Sequence, residues 1–229
     1  GLRSGIWRIF DVFDKYNIKA TFSCCSLALE NSPWLIDEIL TRNHEISAHG
    51  VKWISHAYLS KEEEKQIIND CYSSILKLSG HPPVGWHTKS STSPFTRDLL
   101  IEHGGFTYDS NAYNDDIPYV LKKNDQKLVI IPYSFDTNDM RYDGNNGFVR
   151  GDDFNIYCKE SFNQLLSETD DGSLRMMSIG LHPRIIGRPG RIKGLEDFIK
   201  YIKTYENVWI PKRMDIAKYC LEKDSFNFF

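Results

Sequence analysis

The chain has 229 residues, 41% of them hydrophobic, which is enough for a sizeable core, and we expect a single domain over residues 1–229. Its formal net charge of −3 gives no electrostatic reason to expect a nucleic acid or an anionic membrane as partner. No apolar run approaches the roughly 20 residues of a membrane helix, and no signal peptide is visible, so we expect a cytoplasmic protein. The five cysteines include no C-x-x-C pair, which favours reduced thiols over a disulfide framework.

Helix and strand signals alternate along the first half of the chain. Gly5–Tyr16 carries apolar residues at helical spacing, and Ser60 with Glu63 forms a capping box for a helix over residues 61–78, which stops at Gly80. The other predicted elements here are helices over 33–41 and 95–103 and strands over 19–25, 45–48, 84–86 and 106–109.

The second half continues the same alternation. Residues 128–134, LVIIPYS, form the clearest predicted strand, and a long polar loop follows over 135–148. The remaining predicted elements are helices over 153–167, 192–205 and 213–221 and strands over 175–181 and 208–210. About seven strand–helix alternations with short connections favour a parallel sheet and a barrel.

Polar and aromatic residues gather at the ends of these predicted strands. In parallel barrels the chemistry collects at the carboxyl ends of the strands, so we expect a cleft built from such residues. They are Cys25, Ser26, His49, Trp86, Asp109, Ser134, Phe135, Asp136 and His182.

His49 ends the predicted strand at residues 45–48, and the glycine after it lets the backbone turn away and present the imidazole. Trp53 stands four residues later and His56 seven, so the H-x-x-x-H spacing of a two-imidazole metal site is absent. We therefore predict no metal here and no other cofactor. The alternative for either histidine is a side chain satisfied by a neighbour in the core or on the surface.

Several segments resemble the polysaccharide deacetylase superfamily, which shares the NodB homology domain. They are HEISAHG, GGFTYDSNAYNDDIPY, IIPYSFDTNDMRY, GFVRGDDF and SIGLHPRIIGRPGR, and they are most similar to the allantoinase-like branch. The resemblance implies an α/β fold, a distorted, incomplete (β/α) barrel of NodB type, and hydrolysis of a C–N bond. For that branch it implies opening of a small cyclic ureide, allantoin to allantoate in purine catabolism, without a metal, by a homo-oligomer.

The resemblance also assigns positions. Metal-dependent deacetylases of the family hold their ion with an aspartate on the first strand and an H-x-x-x-H pair; here His49 matches the first histidine and Trp53 replaces the second. His182 matches the late histidine that serves as general acid. Arg184 stands where related glycan deacetylases carry an acidic residue.

Two departures from the family pattern matter. The family's first strand and acidic motif would precede Gly5–Tyr16, so we expect the chain to lack the first strand of the barrel. The loop over 86–94, WHTKSSTSP, is longer than in the family and has Lys89 as the nearest substitute for an arginine. Two alternatives to an allantoinase-like enzyme therefore stay open: an N-acetyl-sugar deacetylase, and an inactive fragment or binding module.

Opening an amide-like ring requires activated water, stabilisation of an oxyanion and a proton for the leaving nitrogen. With an ordinary pKa of about 6.5, a histidine can supply that proton, so His182 is the predicted acid and His49 the residue that positions or activates water. Asp136 is the third predicted catalytic residue, as a general base. The predicted substrate-binding residues are Trp53, Trp86, Arg184, Arg188 and Asp116, with core packing as the alternative for the tryptophans and solvation for the charged side chains. We expect His49 and His182 to share one cleft.

Overall fold

The structure is a computed structural model that describes residues 1–144, 147–169 and 172–223. The chain forms two units, each built from two separate stretches. Unit 1 consists of Gly1–Ile18 and Tyr133–Ile210. Unit 2 consists of Lys19–Pro132 and the chain from Pro211 onward.

Eight helices lie within the described ranges. They are α1 Gly5–Tyr16, α2 Ser26–Glu30, α3 Trp34–Thr41, α4 Lys61–Ser79, α5 Thr96–His103, α6 Gly151–Ser167, α7 Pro189–Ile202 and α8 Arg213–Glu222, and a 3-10 helix covers Asp139–Asp143. None of them combines the length and the apolar character that crossing a membrane requires.

Unit 2 contains a six-stranded sheet. Its strands are β1 Thr21–Cys24, β2 Glu45–Ala48, β3 Gly85–Trp86, β4 Tyr108–Asp109, β5 Tyr119–Lys123 and β6 Gln126–Ile130, in the spatial order β1-β2-β3-β4-β6-β5. All neighbours are parallel except β5, which pairs antiparallel with β6 at one edge. The predicted α/β class is confirmed, and the described strands form an open sheet.

The sequence signals at α4 act as predicted. The Ser60 hydroxyl accepts from the Glu63 N–H at 3.3 Å, and a Glu63 carboxylate oxygen accepts from the Ser60 N–H at 2.8 Å. These two bonds satisfy donors that the first turn of a helix leaves unpaired. Gly80 ends the helix at φ 73°, a left-handed conformation that costs glycine little.

The strands predicted at residues 175–181 and 208–210 are wrong. In the first segment only Gly180 forms a bridge, to Asn138, where the Gly180 N–H meets the Thr137 carbonyl and the Asp139 N–H meets the Gly180 carbonyl. The ladder ends there because the chain turns into the 3-10 helix immediately after Asn138. Residues 208–210 pair with no strand in the described part of the chain.

In unit 1 the helices approach each other at glycines. A Cβ added to Gly194 in α7 would lie 2.1 Å from the carbonyl oxygen of Gly151, at the start of α6. Helix α1 meets the turn before α7 in the same way, since a Cβ on Gly5 would lie 2.1 Å from the carbonyl oxygen of Pro183. Lys15 adds a 2.6 Å ion pair to Glu196. Backbones therefore pack here without intervening side chains.

Candidate active site

The parallel strands of unit 2 bring the residues that follow them into one row. Beyond each strand the ladder continues by one more hydrogen bond, from the next backbone N–H to the carbonyl at the end of the neighbouring strand. These bonds are His49 to Cys24 at 2.9 Å, His87 to Ala48 at 3.0 Å, Ser110 to Trp86 at 2.9 Å and Ile131 to Asp109 at 2.9 Å. His49 and His87 are therefore neighbours at the carboxyl edge of the sheet.

His49 is half-buried and its tautomer is fixed by its neighbour. Its Nδ1 forms a short hydrogen bond to the backbone carbonyl of His87, and the two rings lie 5.1 Å apart between centroids. A carbonyl oxygen only accepts, so Nδ1 carries the hydrogen and the lone pair of the neutral ring sits on Nε2. His49 can thus accept a proton at Nε2, as the predicted activation of water requires.

Sequence reasoning missed His87. Its side chain is 7% exposed, and its Nε2 lies 3.2 Å from the hydroxyl of Tyr113. The signal was its position, since His87 follows the last residue of β3 just as His49 follows the last residue of β2.

Two loops at this edge lie side by side. We name residues 49–59 the β2 loop and residues 87–95 the β3 loop. Trp53 of the β2 loop is 40% exposed, and the Lys89 ammonium of the β3 loop lies 4.5 Å from its ring centroid. The His56 N–H donates to the Ser91 carbonyl at 3.2 Å. Trp53, a predicted substrate contact, is therefore placed on an accessible loop beside a cation.

Trp86 does not form a substrate-facing wall. It is fully buried, its ring packs against Phe106 at 5.6 Å, and its Nε1–H donates to the Thr88 hydroxyl at 2.9 Å. The predicted contact is corrected to core packing, because β3 lies between β2 and β4 and buries both of its residues.

The buried carboxylate of Asp109 supports the β3 loop through Asn111. Asp109 is fully buried, pairs with Arg97 at 3.1 Å and accepts from the Asn111 N–H at 3.0 Å, while Asn111 Oδ1 accepts from the Thr88 N–H at 2.8 Å. Burial raises the pKa of Asp109, and the bonds from Arg97 and Asn111 counter part of that rise. Asp109 thus supports the loop and does not present its carboxylate to solvent.

His56 is hydrogen-bonded to a buried carboxylate. Its Nδ1 lies 2.9 Å from Glu64, and both side chains are almost fully enclosed. Glu64 also accepts from Thr96 at 2.7 Å and forms a short bond to the Ser93 hydroxyl. Burial alone would raise the pKa of Glu64, but the bonds from His56, Ser93 and Thr96 outweigh it and lower the pKa. His56 therefore has a structural role.

In unit 1, His182 is paired with Asp139. The fully buried Asp139 carboxylate lies 2.6 Å from His182 Nδ1 and accepts from the backbone N–H groups of His182 at 2.6 Å and Ile186 at 3.0 Å. The carboxylate fixes the orientation of the ring and places a hydrogen on Nδ1, which leaves Nε2 as the atom that can face a substrate. This is the geometry of a histidine that acts as an acid through Nε2.

The predicted base Asp136 lies elsewhere on the same loop. Its side chain is exposed, and its backbone N–H donates to the Ser134 hydroxyl at 3.0 Å. Asp139 was not among the residues predicted from sequence, because 43 residues separate it from His182 and no spacing rule joins them. The catalytic role of Asp136 stays a prediction.

The predicted charged contacts are exposed. Arg184 lies two residues after His182, Arg188 precedes α7, and Asp116 lies between β4 and β5 in unit 2. The guanidinium of Arg191, in α7, lies over the Tyr142 ring at 4.3 Å from its centroid. The shared cleft of His49 and His182 stays a prediction, as do the binding roles of Arg184, Arg188 and Asp116.

Across residues 1–144, 147–169 and 172–223, no three side chains among His, Cys, Asp and Glu come together as a group that could hold a metal ion. His49 and His87 pair as two imidazoles.

The chain is similar to proteins of one family along most of its length. A family model described as polysaccharide deacetylase matches residues 1–100. A Schizosaccharomyces pombe protein whose name places it among the polysaccharide deacetylases is 33% identical over 95% of this chain and 73% of its own length.

Two crystal structures are similar over 99% of this chain, each with a TM-score of 0.94. One is a probable polysaccharide deacetylase from Pseudomonas aeruginosa, 37% identical, of which this chain covers 76%. The other is the PuuE allantoinase, 38% identical, of which it covers 75%.

Proposed function

The chain belongs to the polysaccharide deacetylase family, and from that premise we propose that it hydrolyses a C–N bond in a small cyclic ureide, as an allantoinase does. The family places the chain among hydrolases, and the choice of a ureide as substrate is the proposal. The observation that carries it is the His182–Asp139 pair, because ring opening needs an acid for a poor leaving nitrogen.

The proposed reaction begins with attack of water on a ring carbonyl. The carbonyl carbon becomes tetrahedral and its oxygen takes the negative charge. Collapse of this intermediate breaks the bond to the ring nitrogen, which takes a proton from Nε2 of His182 and leaves as the ureido group. Asp139 holds the ring in place during the transfer through its bonds to Nδ1 and to the backbone N–H of His182.

We assign the activation of water to His49. Its Nδ1–H is committed to the His87 carbonyl, so its Nε2 lone pair is the atom that takes the proton from water. The prediction that Arg184 and Arg188 bind the oxygens of the substrate stays part of the proposal, as does assembly into a homo-oligomer.

Two facts support the ureide over other substrates. The PuuE allantoinase structure is similar to nearly the whole chain. Trp53 also stands four residues after His49, where the resemblance implies a second metal-binding histidine in metal-dependent deacetylases. The second candidate, an N-acetyl-sugar deacetylase, is supported by the Pseudomonas aeruginosa structure at nearly the same identity.

A substrate panel separates the candidates. The 229-residue chain is assayed for allantoate from allantoin and for acetate from N-acetylglucosamine oligomers, each with and without a chelator. The proposal predicts allantoate formation that the chelator leaves unchanged. Acetate release that chelation abolishes, with zinc bound stoichiometrically, would replace the ureide with the sugar, and activity on neither substrate would favour a binding module.

A further inference from the structure

The β2 and β3 loops carry an unusual charge pattern. Each contains one lysine, Lys52 and Lys89 respectively, and neither contains an aspartate or a glutamate. The chain as a whole has net charge −3. The carboxylate that reaches the β3 loop from α4, Glu64, is fully buried and bonded to His56, Ser93 and Thr96. These loops therefore present positive charge at the carboxyl edge of the sheet.

Lys89 is half-buried, and no carboxylate of the described residues pairs with it. Within the described residues its ammonium meets the Trp53 ring at 4.5 Å and forms no hydrogen bond or ion pair. An aromatic face orients an ammonium without neutralising it, and a partly desolvated charge gains most from an anionic partner. Lys89 is therefore held in place and able to receive an anion.

The position of Lys89 relates it to His49. His87, which stacks on His49, and Lys89 are two residues apart, so their α-carbons lie within about 7 Å. Thr88 between them contacts Trp86 and Asn111 instead, at 2.9 and 2.8 Å, which anchors the loop from the other side. His87 and Lys89 thus both face the β2 loop, beside the residue assigned to activate water.

We propose that Lys89, oriented by Trp53, is a specificity residue that binds a carboxylate next to His49. This inference rests on the proposed function and deepens it: the carboxylate is either a substituent of the ureide or the group that ring opening produces. Neutral N-acetyl sugars carry no such group, so the subsite would favour ureides over them.

Binding of acetate and acetamide tests the subsite without requiring turnover. The two probes have similar shape and differ in charge, and calorimetry measures their affinities for the wild type and for Lys89→Met, Lys89→Arg and Lys52→Met. We expect acetate to bind and acetamide not to bind. Lys89→Met should lose about tenfold or more in acetate affinity, the effect of one charge-assisted hydrogen bond. Lys89→Arg should stay within about threefold, because arginine keeps the charge and stacks on tryptophan.

Lys52→Met is the matched control, because it removes an exposed lysine from the neighbouring loop. Equal acetate affinity in the wild type and Lys89→Met would overturn the inference. An equal loss of acetate affinity in Lys89→Met and Lys52→Met would also overturn it, because the effect would then come from the net charge of the loops and not from Lys89 itself. Equal affinities of the wild type for acetate and acetamide would overturn it as well.

Two further ligands identify the source of the carboxylate. If the product supplies it, Lys89→Met weakens inhibition by allantoate about tenfold and leaves the KM for allantoin within twofold. If a substituent supplies it, Lys89→Met raises the KM for hydantoin-5-acetate by a similar factor. Lys89-dependent acetate binding in a chain that opens no ureide would refute the proposed function and keep the subsite. Ureide opening by a chain whose acetate binding does not depend on Lys89 would keep the proposed function and refute the subsite.

Discussion

Asp139 is the residue on which the geometry of His182 depends. One buried carboxylate accepts from the His182 ring and from two backbone N–H groups of the turn that follows, so it fixes both the imidazole and its support. Its contribution to catalysis passes through His182, which makes it a positioning residue.

Asp139→Asn should lower kcat about 100-fold, because both carboxylate oxygens accept hydrogen bonds and the asparagine amide replaces one of them with a donor, so the His182 ring loses its fixed orientation. It should also cost about 2 kcal/mol of unfolding free energy, since a buried N–H loses its partner. Steady-state kinetics and urea unfolding measure the two effects. Asp136→Asn tests the general base predicted from sequence: a large loss of kcat there would support that role, and an unchanged kcat would contradict it.

Glu64 sets a pH dependence of stability. Its pKa in the folded protein lies below its ordinary value of 4.5, so its ionised form stabilises the fold above about pH 4.5 and this contribution is lost as the pH falls through the folded-state value. Glu64→Gln should therefore cost about 3 kcal/mol at pH 7, as breaking a buried pair does, and less as the pH approaches 3.

Urea unfolding of the wild type and Glu64→Gln at pH 7, 5, 4 and 3 measures this difference. The comparison is needed because Asp109, whose pKa is raised, has the opposite dependence and is present in both proteins. A difference that stays constant with pH would show that Glu64 is not ionised in the folded state.

Single residues were predictable from sequence where a local rule applied. His49 was found because it follows a strand and precedes a glycine, whereas His87 follows β3 in the same way but precedes Thr88, so the glycine rule passes over it. Asp139 could not be found in this way, because its burial and its contact with His182, far away in sequence, depend on tertiary structure. Trp86 was predicted as a substrate contact because it ends a strand, but β3 lies in the middle of the sheet and its neighbours enclose the side chain.

Among the elements, those with strong local signals match the prediction. The capping box and Gly80 placed α4 to within one residue. The β5–β6 hairpin was missed although Asn124-Asp125, a two-residue turn with φ of 48° and 62°, is typical of such hairpins. The strands at 175–181 and 208–210 were wrong because an apolar run has strand character without a partner to pair with.

The contact of α7 with the start of α6 depends on Gly194. Gly194→Ala should destabilise the protein by about 2 kcal/mol or more, because its Cβ would meet the backbone oxygen of Gly151, which cannot rotate away. Gly190→Ala in the same helix meets nothing within 4 Å and should be neutral or stabilising by up to about 1 kcal/mol through helix propensity. Thermal unfolding of both variants checks this contrast. Equal unfolding temperatures of the two variants would mean that α6 and α7 can move apart to accommodate the added methyl group without loss of stability.

At the scale of the whole molecule, the chain forms two units that are both discontinuous in sequence. The predicted acid His182 belongs to unit 1, and His49, predicted to position or activate water, belongs to unit 2. The alternation of helix and strand signals indicated the α/β class. The division into two units depends on contacts between residues far apart in sequence, which no local pattern indicates. The single domain and the homo-oligomer predicted from sequence stay predictions, which unfolding cooperativity and light scattering test.

The central claim is that His182 protonates the leaving nitrogen of a cyclic ureide. The most direct measurement is the rate of allantoate formation from allantoin by the wild type and His182→Ala over a range of allantoin concentrations. We expect a kcat lower by about 100-fold or more in His182→Ala with KM within about threefold, because the proton is needed chiefly in the transition state. An unchanged kcat, or a loss confined to KM, would contradict it and make His182 a binding residue.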